Sequence, residues 1–151
     1  MGLAMNEATC KAALCKVLRA KLPPAESRVY RHEDAWTGGI PDISITANGH
    51  TLWVEVKLDR PGRRGKVTEL QRTSLQALWG YLLTFEITTV GGFGARLEDA
   101  EGNPYGRFYG RTKKDVYESV AISLIGRVKR LCSCGAPLTS GRCSGNCERD
   151  E

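Results

Sequence analysis

No apolar run in this chain reaches the roughly 18 residues that a membrane-spanning helix requires. The first residues also lack the basic-then-apolar pattern of a secretion signal. The two absences predict a cytosolic protein. Structural disulfides are therefore not expected, although six cysteines are present, because a reducing cytosol keeps thiols free. Histidine is scarce, with two in the chain, and His32 reads as a structural residue. No internal repeat is visible. An excess of acid is also missing: 22 Lys and Arg face 17 Asp and Glu, for a net charge of +5 and a pI near 9.0. That balance favours a polyanionic partner such as nucleic acid without specifying one. A hydrophobic content of 41% with 26% charged residues excludes wholesale disorder. A length of 151 residues suits one domain with an appendage.

What is present is concentrated between Gly39 and Lys57. Asp42-Ile43-Ser44-Ile45-Thr46-Ala47, then Asn48-Gly49, then His50-Thr51-Leu52-Trp53-Val54-Glu55 reads as a β-hairpin, because Asn-Gly between alternating apolar residues is the strongest short-range hairpin signal. A two-residue turn pairs Ala47 with His50, and outward counting sets Asp42 opposite Glu55. Their β-carbons are then roughly 5 Å apart on one face, and Lys57, two residues on, shares that face. Ile43, Ile45, Leu52, Val54 and Val56 take the other, core-facing side. Opposed carboxylates repel, so a positive group belongs between them: Lys57, a divalent cation, or both.

The rest of the chain frames this hairpin. Residues 4–22 predict an amphipathic helix with Met5, Ala8, Ala12, Cys15, Leu18 and Leu22 on its inner stripe, stopped by Pro23-Pro24. Cys10 and Cys15 are expected in the core. Arg28–His32 reads as a short strand, and Ala35–Gly39 as a loop. The hairpin strands are placed near 40–47 and 50–58. Asp59–Lys66 is a basic, turn-rich loop. A helix follows over Val67–Trp79, with Val67, Leu70, Ser74, Ala77 and Leu78 facing inward, ending at Gly80 or running on to Leu83. Phe85–Val90 reads as a strand, and 93–111 as a second hairpin turning near Glu101–Pro104. Thr112 caps a last helix carrying Val116, Val120, Leu124 and Val128 on one face. From Leu131 the composition turns to Cys, Gly and Ser. One helix layer suffices for the apolar face of such a sheet, which leaves the charged trio on a polar face.

Two carboxylates on adjacent strands are a typical all-oxygen Mg²⁺ donor set, and the backbone carbonyl of Val56 adds a third oxygen. A metal-bound water is a better nucleophile and the cation offsets phosphate charge. Lys57 is suited to position that water or to neutralise the transition state. A solvated sheet face with an ordinary Lys–Glu pair accounts for the same residues without chemistry. Gly39-Ile40-Pro41-Asp42, Glu55-Val56-Lys57 and then Gln71 in the next helix resemble the PD-(D/E)XK nuclease superfamily, and within it the VRR-Nuc and Holliday-junction-resolvase-like proteins common in phages and prophages. The likeness spans roughly residues 4–91. It implies an α/β fold with a restriction-endonuclease-like αβββαβ core at 1–111, to which the helix 112–130 and a cysteine-rich tail at 131–151 are appended. It also implies Mg²⁺- or Mn²⁺-dependent cleavage of DNA in a bacterial or phage-infected cytoplasm. Asp42 and Glu55 would hold the metal, Lys57 would serve the water and phosphate, and Gln71 would support the site. Several members add a glutamate from the first helix, where Glu7 is the only one; Glu7 equally suits the helix dipole.

Arg60, Arg63, Arg64 and Lys66 follow the motif closely and are placed to meet DNA phosphates; a solvated turn is the plainer account. Cys132, Cys134, Cys143 and Cys147 form two close pairs, the arrangement of a four-ligand structural zinc, and so short a segment would depend on metal to fold. A flexible reduced tail is the alternative. The leading reading is a structure-selective, metal-dependent DNA endonuclease acting as a homodimer on two-fold branched DNA. The runner-up is a catalytically inactive, zinc-containing nucleic-acid-binding phage accessory protein on the same fold.

Overall fold

The computed structural model describes residues 5–33 and 38–130, and the backbone of 138–139 and 142–143. Three helices and a six-stranded mixed, open sheet follow the order α1 (Glu7–Lys21), β1 (Ser27–Arg31), β2 (Ile43–Ala47), β3 (His50–Asp59), α2 (Glu69–Ala77), β4 (Tyr81–Ile87), β5 (Phe93–Asp99), β6 (Pro104–Tyr109) and α3 (Lys113–Val128). The strands lie side by side in sequence order. All pair antiparallel except β3 with β4, which α2 joins as a parallel crossover. Two short strands, β7 (Leu138–Thr139) and β8 (Arg142–Cys143), pair as a separate hairpin. The side chains of the four cysteines assigned to zinc lie outside the described residues.

The expected hairpin forms in the expected register. Ala47 pairs with His50 and Ile43 with Val54. Asn48 and Gly49 both take positive φ, 54° and 76°, the backbone of a turn whose twist matches the flanking strands. Ile43, Ile45, Leu52, Val54, Val56 and Leu58 are buried on one face with Leu83, Phe85 and Leu97. Helices α1 and α3 cover that face. Val116, Val120, Leu124 and Val128 of α3 are all fully buried, as their spacing predicts. Phe85 stacks on Phe93 and meets Tyr117 of α3. Arg127, over the rings of Tyr81 and Tyr105, fastens the far end of α3 to the sheet.

Three details differ from the sequence-based expectation. The buried stripe of α1 is Cys10, Leu14, Cys15 and Leu18, continued by Leu22, while Ala8 and Ala12 are exposed. Alanine fits either face, so the larger side chains decide the rotation of the helix. Burial raises the pKa of both thiols, in keeping with inert core cysteines. Helix α2 buries Leu75 alone; Leu70 and Leu78 are exposed and Ala77 points outward. It sits on the polar face, where Leu75 meets Leu82 and Ala100 in a small second cluster, so it needs only one deep apolar anchor. The strand expected at Phe85–Val90 begins instead at Tyr81 and ends at Ile87. Helix α2 stops where Trp79 adopts φ 54° and the Gly80 N–H donates to the Leu75 carbonyl at 2.8 Å. This is the six-to-one hydrogen bond of a Schellman ending. Glycine follows because a β-carbon at position 80 would meet Leu75 Cδ2 at 2.6 Å.

Candidate active site

Side chains alternate along a strand, so with Val54, Val56 and Leu58 in the core, Glu55, Lys57 and Asp59 point to the opposite face. The register extends that face across the sheet. Glu55, Leu82 and Glu98 share one row. Lys57, Thr84, Arg96 and Arg107 form the next, and Asp59, Glu86, Gly94 and Tyr109 the third. One step beyond the Ile43–Val54 pair, Asp42 falls opposite Glu55. The structure therefore brings Asp42, Glu55 and Lys57 together.

Asp42 is fixed at both oxygens. Its Oδ2 accepts from the backbone N–H of Val56 at 2.8 Å, and its Oδ1 lies 3.1 Å from Lys11 Nζ of α1. Glu55 Oε1 lies 3.3 Å from Lys57 Nζ. Glu55 is only 2% exposed. Burial first, and the neighbouring Asp42 charge second, push its carboxyl up to about 7, against the pull of Lys57. A buried carboxylate beside another is a site prepared for positive charge.

Glycines hold the surrounding chain close. Gly39 has φ 100°, and a β-carbon there would lie 2.7 Å from Leu70 Cγ of α2. The glycine of Gly-Ile-Pro-Asp thus answers both to its backbone conformation and to the approach of α2. Gly65 presses onto strand β3, where a β-carbon would fall 2.9 Å from Lys57 Cβ, and its N–H donates to Asp59 Oδ1 at 2.8 Å. The basic loop therefore folds back beside the trio.

A cleft of about 870 Å³ opens between this loop and the start of α1, lined by Asn6, Glu7, Lys11, Arg60, Arg63, Arg64 and Lys66 among others. The four cations expected from the loop all line it, and Lys11 adds a fifth. The guanidinium of Arg60 also donates to the Met5 carbonyl, tying loop to helix. Glu7 lies at the cleft one helical turn before Lys11, and no ion pair joins it to the trio among the described residues. Gln71 serves its own helix. Its Oε1 accepts from the Thr68 N–H at 3.0 Å, and its backbone N–H donates to Thr68 Oγ1, closing a capping box on α2. No hydrogen bond to the trio is seen for Gln71 among the described residues. His32 donates to or accepts from Ser44 Oγ at 2.8 Å and packs on Trp53, in keeping with a structural role.

Sequence reading missed Lys11. Its spacing of four from Glu7 places the two on one helix face, so assigning Glu7 to the site implies Lys11 as well. Also missed was the cluster in which Arg96 bridges Asp59, at 3.0 Å, and Glu86. These three residues come from three strands, and only the register unites them.

The carboxylate pair suits a hard divalent cation. Both donors are oxygen, and Mg²⁺ is commonly held by one or two carboxylates with waters completing its shell. Among the described residues no third His, Cys, Asp or Glu joins them. Compared with known proteins, the chain matches no family model and no curated protein.

Proposed function

We propose that this protein is a divalent-metal-dependent DNA endonuclease of the PD-(D/E)XK type, close in character to the VRR-Nuc and junction-resolvase-like enzymes. The observation that carries the proposal is the pairing of Asp42 with the buried Glu55 on adjacent strands, with Lys57 on Glu55 and a cationic cleft alongside. The order α1-β1-β2-β3-α2-β4, with the trio on β3 and just before β2, is the order that the resemblance implies.

Asp42 and Glu55 would hold Mg²⁺ or Mn²⁺, which when bound supplies an activated water and charge on the phosphate oxygens. The residues of the chain have their own roles. Val56 N–H fixes the rotamer of Asp42 through Oδ2, and Lys11 holds Oδ1. Lys57 holds positive charge where the phosphate would gain negative charge. Loop 60–66 binds flanking phosphates and orients the strand. A homodimer would present two such sites to a two-fold branched substrate.

The Lys11–Asp42 pair favours a second reading. With Lys57 on Glu55 and Lys11 on Asp42, each carboxylate already has a cation, as a metal-free nucleic-acid-binding protein would require. Cleavage assays with and without Mg²⁺ on linear duplex, single-stranded, flap and four-way-junction DNA separate the two. Mg²⁺-dependent cutting of any of these supports the nuclease, whereas tight binding with no cutting of any supports the binding protein.

A further inference from the structure

The segment Pro104–Lys114 carries four cations and no acid: Arg107, Arg111, Lys113 and Lys114. It forms β6, one of the two edge strands of the sheet, and the first two residues of α3. None of the four has a carboxylate partner among the described residues, in contrast to Arg96 on the neighbouring strand β5. Register places Arg107 in the same row and on the same face as Lys57, with β4 and β5 between. Three strand spacings separate them, roughly 14 Å. Strands β3, β4 and β6 run in one direction, so Arg111, Lys113 and Lys114 emerge at the same end of the sheet as the basic loop after β3. Lys113 and Arg60 both lie close enough to Cys10 to influence its thiol, which joins the two basic regions across the start of α1.

Two features distinguish this strip from an ordinary solvated edge. Tyr109 is 63% exposed and leans over Gly94, where a β-carbon would meet its ring at 2.9 Å. It stands between Arg107 and Arg111, with its hydroxyl 3.4 Å from Arg107 Nη1. Lys113 and Lys114 occupy the first two positions of α3, beside the capping Asp115, at the helix end that disfavours cations. Folding alone gives no reason for two lysines ahead of that acid.

We propose that this strip is a second nucleic-acid contact, and that it holds a single, unpaired DNA strand leaving the cleft, with phosphates on Arg107, Arg111 and Lys114 and a base on Tyr109. An aromatic face interleaved with cations is the combination that binds single strands, whereas a duplex keeps its bases stacked inside. The inference rests on the nucleic-acid reading of the cleft but not on catalysis.

The test is binding of fluorescein-labelled oligo-dT and of a duplex of equal length, in EDTA, across a salt series. Four proteins are compared with wild type: Arg107→Ala/Arg111→Ala/Lys114→Ala, Tyr109→Ala, Lys114→Glu and Arg63→Ala/Arg64→Ala. The triple variant should lower the slope of log K against log salt for oligo-dT by about 2, at roughly 0.7 for each phosphate no longer neutralised. Tyr109→Ala should weaken oligo-dT roughly tenfold, by loss of one stacked base, and leave the duplex unchanged. Lys114→Glu should raise the melting temperature while weakening binding, a pairing of signs that a purely structural lysine would not give. Loss of oligo-dT binding in Arg63→Ala/Arg64→Ala, with wild-type affinity and slope in the triple and Tyr109 variants, would overturn this strip and leave the cleft standing. Absence of salt-dependent DNA binding by the wild-type protein would overturn both.

Discussion

Glu55→Gln should make the protein more stable at pH 8 in the absence of divalent cations. The native carboxyl is pushed from 4.5 up to about 7 by burial and by Asp42. At 1.36 kcal/mol per unit, that shift is on the order of 3 kcal/mol. A raised carboxyl pKa means that the folded state holds the proton more tightly than the unfolded chain. Its favourable effect is complete below about pH 4.5 and is lost as pH rises through about 7. Glutamine mimics the protonated form at every pH and still offers Lys57 an acceptor oxygen. The variant should therefore match wild type near pH 4 and exceed it at pH 8, by roughly 5–10 °C in Tm for a chain of this size. Added Mg²⁺ should stabilise wild type more at pH 8 than at pH 6, because cation and proton compete for one carboxylate, and should leave Glu55→Gln nearly unmoved. Thermal melts at pH 4, 6 and 8, in EDTA and in Mg²⁺, give all of these. A Glu55→Gln protein that melts below wild type at pH 8, or whose advantage does not change with pH, would show that Glu55 is not a buried, electrostatically burdened acid.

Other outcomes follow from the same geometry. Gly39→Ala should destabilise the fold by roughly 2–4 kcal/mol, from positive φ and from crowding against Leu70; denaturant titration checks this, and Gly39→Ala/Leu70→Ala should recover the crowding part alone. Lys11→Ala should tighten Mn²⁺ binding several-fold, since removing a cation from a half-buried Asp42 is worth about 1 kcal/mol or more; calorimetry showing equal or weaker affinity counts against competition between Lys11 and the metal. The four tail cysteines should bring about one zinc per chain in elemental analysis, by the four-ligand rule; native protein that is purified without metal and has all four thiols freely titratable would contradict that assignment.

Much of this was legible because it is local. Asn48-Gly49 and the alternation around it fix a register, and the register alone sets Asp42 against Glu55 and Lys57. Thr112 and the four-residue spacing from Val116 to Val128 likewise define α3. Less legible was anything that depends on which surface meets which. Leu75, rather than Leu70 or Leu78, anchors α2, because α2 lands on a polar face offering only Leu82 and Ala100. Trp79 ends that helix in a left-handed conformation, where glycine is the expected residue and Gly80 serves a packing need instead. Lys11 reaches Asp42 from a helix thirty-one positions earlier. Gln71, assigned to the site by resemblance, is occupied by its helix cap, a role that Thr68 three residues earlier already signals.

The most direct test of the central claim measures cleavage and binding of the same labelled DNA by wild type, Asp42→Asn, Glu55→Gln and Lys57→Ala, with Mg²⁺ present. On the proposed function, all three should lose cleavage by orders of magnitude while retaining affinity near that of wild type, because phosphate contacts in the cleft would supply most of the binding. Wild-type cleavage rates in Asp42→Asn and Glu55→Gln would contradict it.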